Sequence, residues 1–154
     1  MNRPSWDETF VDVARVVSKR STCLRRKVGA VLVRDNKILT TGYNGAPKGL
    51  PHCSVAGCLR EELKVPSGER HELCRAVHAE ANAIIQAALH GVSTQGATMY
   101  VTVAPCSMCA RMIINAGINK VVFCGDYPDG YTESLFKEAG INFTKFSEGL
   151  PGQE

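Results

Sequence analysis

The sequence predicts an α/β fold, a three-layer α/β/α sandwich on a mixed sheet of about five strands. Three observations lead there. An apolar hairpin near the start supplies two adjacent antiparallel strands. After it, helix-period stretches alternate with short β-branched runs, the pattern of strands joined by crossovers. Gly91, Gly117 and Gly140 then stand where helical stretches end, each just ahead of the next strand or turn.

Residues 5–20 read as a helix. Ser5 is placed to cap it, Asp7 and Glu8 suit its first turn, and Lys19 and Arg20 suit its last. Trp6, Phe10, Val13, Ala14 and Val17 recur at helical spacing and form its inner face. The run from Val28 to Val33 is a buried strand, Asp35-Asn36 the hairpin turn, and Lys37 to Gly42 the returning strand. Gly29 inside the first strand implies that another backbone passes close by. Ala79 to His90 is an alanine-rich helix, expected to turn Ile84, Ile85, Ala88 and Leu89 inward. Ala97 to Val103 is the third strand, Ser107 to Ala116 the next helix and Lys120 to Cys124 the fourth strand. Tyr131 to Ala139 is a short helix, Ile141 to Phe146 the last strand, and residues 147–154 are expected to be disordered.

The chain reads as a single domain over 1–154, interrupted by an insert over 43–77. The insert opens on a loop from Gly42 to Pro51, too rich in Gly and Pro for regular structure and shaped to bind a ligand, with Asn44 the polar side chain held inside it. Its remainder carries His52, Cys53, Cys58, His71 and Cys74 among many charged residues. So polar a segment has little apolar surface with which to order itself. His71 and Cys74 have half-site spacing for a metal, and the other half would come from Cys53, Cys58 or the upstream Cys23.

Composition bounds the function. The hydrophobic fraction is 44% and the charged fraction 21%, ordinary for a globular domain. No apolar run approaches the roughly 18 residues that span a bilayer, and Met1 to Phe10 lacks the apolar core of a secretion signal. A cytoplasmic location with no membrane partner follows as the expectation. The net charge of +3 allows an anionic small substrate, but there is no basic stripe of the kind that holds nucleic acid stably. Seven cysteines without a secretion signal point to metal rather than disulfides.

The chemistry concentrates in His78-Ala79-Glu80 and Pro105-Cys106-Ser107-Met108-Cys109. One imidazole and two thiolates give zinc three protein ligands and leave the fourth tetrahedral position for water, as catalytic rather than structural sites do. Glu80 is spaced to reach that water without binding the metal. His-x-Glu followed by Pro-Cys-x-x-Cys is the pattern of zinc nucleobase deaminases. His78 and Glu80 begin one helix, and the two thiolates begin another, where negative charge is stabilised.

With Arg26-Lys27-Val28-Gly29-Ala30, Gly42-Tyr43-Asn44-Gly45 and the Cys/His insert added to those motifs, the chain resembles the deoxycytidylate (dCMP) deaminases of the cytidine-deaminase-like superfamily, from about residue 5 to residue 146. The resemblance implies zinc-dependent hydrolysis of dCMP to dUMP and ammonia, supplying dUMP for thymidylate synthesis. It implies Glu80 as the catalytic acid–base and His78, Cys106 and Cys109 as ligands of the catalytic zinc. A second, structural zinc would fall on Cys23, Cys53, His71 and Cys74, with Cys58 as the alternative ligand. Ala79 and Ser107 would meet the pyrimidine edge, Asn44 the sugar or base, and Arg26 and Lys48 the phosphate. Homo-hexamers regulated by dCTP and dTTP are also implied. Three other readings share these motifs: a tRNA-adenosine type of deaminase, a free-base or free-nucleoside deaminase, and a non-catalytic zinc module used in DNA uptake or assembly.

Overall fold

The computed structural model describes residues 2–148. Five strands form one sheet: β1 (Gly29–Arg34), β2 (Lys37–Tyr43), β3 (Thr98–Val101), β4 (Lys120–Phe123) and β5 (Asn142–Lys145), in the order β2-β1-β3-β4-β5. β1 runs antiparallel to both β2 and β3, while β3, β4 and β5 run parallel. The hairpin turn has Asp35 at φ +54° and Asn36 at φ +57°. Two left-handed residues in succession make the turn whose twist matches that of the strands, and Asp and Asn tolerate it best after Gly.

Helix α1 (Trp6–Ser18) starts in a full capping box. The Glu8 N–H donates to Ser5 Oγ at 3.1 Å, and the Ser5 N–H donates to Glu8 Oε2 at 2.7 Å. Its Phe10, Val11 and Ala14 pack on Val31, Val33, Tyr100 and Val122, one face of the sheet. The opposite face, Ala30, Leu32, Met99, Val101, Val121 and Phe123, is covered by residues of three helices. These are Ala79 and Ala83 of α4 (Ala79–His90), Ala110 and Ile113 of α5 (Ser107–Asn115), and Phe136 of α6 (Gly130–Glu138). Alternation along each strand sorts the side chains into the two cores. The result is the three-layer sandwich on a mixed sheet that the sequence predicts.

Two approaches of backbone to backbone set the layer spacing. A Cβ at Gly29 would stand 2.6 Å from the Ser18 nitrogen in α1, and one at Gly42 would stand 2.5 Å from the Ala83 nitrogen in α4. The second approach corrects the expected inner face of α4. Ala79, Ala81, Ala83 and Ala87 are buried, whereas Ile85 is 49% and Leu89 71% exposed. A helix seated directly on strand backbone has room only for methyl groups at the contact itself, so Ile85, Ala88 and Leu89 turn outward, while Ile84 packs partly buried against the core as expected.

Between β2 and α4 the chain makes an excursion whose neck is closed by a bridge: the Gly45 N–H donates to Val77 O at 3.2 Å and the Val77 N–H donates to Gly45 O at 2.8 Å. The excursion is more ordered than its composition implies. It folds into two single-turn helices, α2 (Cys53–Ala56) and α3 (Leu59–Glu62), and a 3-10 turn at His71–Leu73. Cys53, Cys58 and Arg60 are buried there. The tail expected to be disordered lies outside the described residues from position 149 onward.

Candidate active site

α4 and α5 lie side by side on the same face of the sheet, and their first residues carry the chemistry. His78 is the N-cap of α4 and Cys106 the N-cap of α5, both with extended backbone, so each side chain projects past its helix end. Cys109 follows in the first turn of α5 and is buried. His78 Nδ1 stands 3.5 Å from Cys106 Sγ and 3.5 Å from Cys109 Sγ. Among the described residues these three form the one group of at least three metal-type side chains with ligand atoms within 4.8 Å of one another. Donors at zinc–nitrogen and zinc–sulfur bond lengths from a tetrahedral centre lie about 3.5 Å apart, so the set fits zinc.

The electrostatics agree with a cation site. The thiols of Cys106 and Cys109 titrate as a pair. The hydrogen bond with Cys109 and then that with His78 lower Cys106. Cys109 is pushed up, first by its bond to Cys106 and then by burial. The hydrogen bond to Cys106 also raises His78. Glu80, the second residue of α4, is 3% exposed. Burial raises its carboxyl pKa.

Around this centre the other sequence candidates divide. Asn44 is buried with its amide engaged on both ends: Oδ1 accepts from the Val28 N–H at 2.9 Å, and Nδ2 donates to Arg26 O at 2.7 Å. Each end keeps one further hydrogen-bonding valence. Ala79 is fully buried, and Ser107 opens α5 half-buried. Arg26 and Lys48 are exposed. Cys53, Cys58 and Cys74 line one cavity on the insert. Burial raises the Cys53 thiol, and the charges of Cys74, Cys58 and Cys23 add to this. His71 is placed elsewhere. Its ring packs edge-on against His78, centroids 4.9 Å apart at 83°, and it does not line that cavity.

Sequence reasoning passed over Arg60, which is 8% exposed in α3. A charged residue in a polar loop has no periodicity to mark it as buried. Its charge opposes protonation of both His71 and His78.

A three-donor metal set with a buried carboxyl beside it, on two helix N-termini over a mixed sheet, defines a hydrolytic metal centre. The chain belongs to the family described as the cytidine and deoxycytidylate deaminase zinc-binding region, matched over residues 4–125. It is 39% identical over 145 residues to the deoxycytidylate deaminase of Schizosaccharomyces pombe, covering 94% of this chain and 45% of that protein. Over 128 residues it is 43% identical to the deoxycytidylate deaminase of Mycobacterium phage D29, covering 80% of this chain and 97% of that one. The chain thus spans about half the length of its fungal relatives and nearly all of the phage one. The crystal structure of dCMP deaminase from the cyanophage S-TIM5 in complex with dCMP and dUMP aligns at a TM-score of 0.77. The identity is 28%, and the alignment covers 95% of this chain and 100% of that one.

Proposed function

We propose that this chain hydrolyses dCMP to dUMP and ammonia, and so supplies dUMP for thymidylate synthesis. The observation that carries the reading is Glu80: a buried carboxyl beside a His/Cys/Cys set that leaves one tetrahedral position open. What zinc supplies when bound there is acidification of a water near neutral pH. His78, Cys106 and Cys109 hold the cation. Glu80 accepts the proton of the attacking water and delivers it to N3 of the pyrimidine; it then takes the proton of the new C4 hydroxyl and delivers it to the exocyclic amino group, which leaves as ammonia as the C4 carbonyl forms. Burial suits it to both directions, because a carboxyl raised toward the working pH can accept and return a proton. The free N–H groups at the starts of α4 and α5, at Ala79 and Ser107, face the pyrimidine edge, and Asn44 offers its remaining valences to the sugar or base.

The cavity shared by Cys53, Cys58 and Cys74, with Cys23 near Cys53, supports a second, structural zinc. With His71 seated on His78, the set with Cys58 in place of His71 is the one this arrangement favours. On α4 and α5, Ile85 (49%), Leu89 (71%), Met108 (44%) and Met112 (39%) are exposed, apolar side chains that suit assembly with further copies, as in a hexamer. Regulation by dCTP and dTTP belongs to the same reading. Among the described residues no helix is long and apolar enough to cross a membrane, which agrees with action in the cytoplasm.

The test is ammonia release from dCMP, CMP, deoxycytidine and an adenosine-bearing tRNA stem-loop. Conversion of dCMP above the others is the expected result. No release from dCMP overturns the reading.

A further inference from the structure

Asn82 lies at the end of the first turn of α4, half-buried, and its side chain spans two segments that meet above the helix. Its Nδ2 donates to Tyr43 O at 2.8 Å and to Val77 O at 3.3 Å. An amide NH2 has two donors, and here both are engaged by main-chain carbonyls. Tyr43 is the last residue of β2 and leads into Asn44 and Gly45 of the ligand loop. Val77 leads into His78, and its carbonyl also accepts from the Gly45 N–H at 3.2 Å. The backbone N–H of Asn82 donates to His78 O at 2.9 Å, one helical turn back. One residue thus braces the loop, the lead-in to α4 and the helix start that carries His78 and Glu80.

The loop's other side-chain anchors lie away from α4. The Asn44 amide holds Val28 and Arg26, in the segment before β1, and Ser21 Oγ donates to Asn44 O at 3.0 Å. Further back in β2, Thr40 Oγ1 donates to Ala83 O at 2.8 Å, which fastens strand to helix without reaching the loop. Without the Asn82 side chain the loop would keep its own bonds and α4 its own turns. The separation between them would be held less tightly. That separation matters to the chemistry, because the loop presents Asn44 to the nucleotide while the start of α4 presents Glu80. Misplacing reacting groups by about 1 Å can cost about 10²-fold in rate.

We propose that Asn82 is a positioning residue for the deamination: through Tyr43 and Val77 it sets the ligand loop at a fixed distance from the start of α4. The assignment rests on the deaminase reading above. It separates binding from turnover, since a loop that keeps its shape still accepts a nucleotide but holds it less well registered against Glu80. The loss should therefore fall on kcat more than on affinity.

The experiment compares wild type, Asn82→Ala and Thr40→Val. Alanine suits a helix and removes both donors. Thr40→Val removes a buried β2–α4 hydrogen bond that bypasses the loop, and so reports what loosening the fold does by itself. Zinc content, Tm, dUMP affinity by calorimetry, dCMP kinetics and hydrogen exchange at the Gly45 and Val77 amides are measured on each. For Asn82→Ala the expected result is wild-type zinc, kcat lowered about 10- to 100-fold, a much smaller change in dUMP affinity, and faster exchange at both amides. Thr40→Val should lose Tm while keeping its kcat and its protection at those amides. An unchanged kcat in Asn82→Ala, or equal kcat losses in the two variants, overturns the proposal. Should Asn82→Ala fail to fold, Asn82→Ser decides, since its hydroxyl can serve one carbonyl but not both: a lowered kcat with wild-type zinc supports the role, and an unchanged kcat overturns it. A wild-type protein that releases no ammonia from dCMP would sink the deaminase reading, and the exchange comparison would still decide whether Asn82 braces the loop.

Discussion

Gly42 and Ala83 meet backbone to backbone: a Cβ on Gly42 would lie 2.5 Å from the Ala83 nitrogen. Because α4 also carries His78 and Glu80 at its start, any shift of this contact moves the site. Gly42→Ala should cost about 1–3 kcal/mol or more by overpacking and lower kcat together with Tm. Gly29→Ala, which pushes on α1 instead, should lower Tm by a similar amount with little change in kcat. Thermal melts and kinetics on the two variants separate the effects. Equal kinetic losses in both would refute the link between α4 seating and catalysis.

Glu80→Gln preserves shape and removes the proton-carrying group. Zinc content should stay at the wild-type level while kcat falls about 10²- to 10⁴-fold. Loss of the metal in this variant, or retained turnover, would contradict the role given to the carboxyl.

Asn44 joins the loop after β2 to the segment leading into β1, through Val28 and Arg26. Asn44→Asp keeps the acceptor but sets an oxygen against the Arg26 carbonyl where an N–H had donated. A buried group left this way costs about 1–3 kcal/mol. Chemical denaturation should show the loss with apoprotein as well as with ligand present. A stability loss seen only with nucleotide bound would make Asn44 a pure substrate contact.

Tyr100 supplies a pH signature far from the metal. Its phenol donates to Asp7 Oδ1 at 2.7 Å, and burial, followed by that bond, raises its pKa. A group raised above its unfolded value, near 10 for tyrosine, contributes stability below that pH and loses it as the pH climbs through the folded value. Unfolding free energy should therefore decline above about pH 10 in wild type, and less steeply in Tyr100→Phe. The variant should also be about 1 kcal/mol weaker at neutral pH.

Cys74→Ser probes the insert. If a structural zinc is held there, metal per chain and Tm should both drop while kcat at saturating dCMP changes little. Unchanged metal content would remove the second zinc.

Much of this was legible in the sequence, for reasons that differ by element. Asp35-Asn36 announced the hairpin because few residues accept left-handed backbone, and Ser5 with Glu8 announced α1 because a cap is a local pattern. His78, Glu80, Cys106 and Cys109 could be read as one centre, since ligand spacing at helix starts survives without tertiary knowledge. The outward turn of Ile85 and Leu89 could not, because it depends on how closely Gly42 approaches α4, a fact of packing between distant segments. His71 illustrates a different limit. Spacing identified it as a metal-type residue but could not say which neighbours it would face. Arg60 gave no signal at all, because only the folded insert reveals that it is buried.

The paired hydrogen bonds between Gly45 and Val77 fasten the base of the excursion like a clasp. Whatever lies beyond the clasp can lengthen, shorten or change its ligands while the sheet and helix starts beneath keep their shape. A loop cassette transplanted at these two residues would vary the excursion from a fixed base, with the His71 ring against His78 as the contact such a graft has to keep.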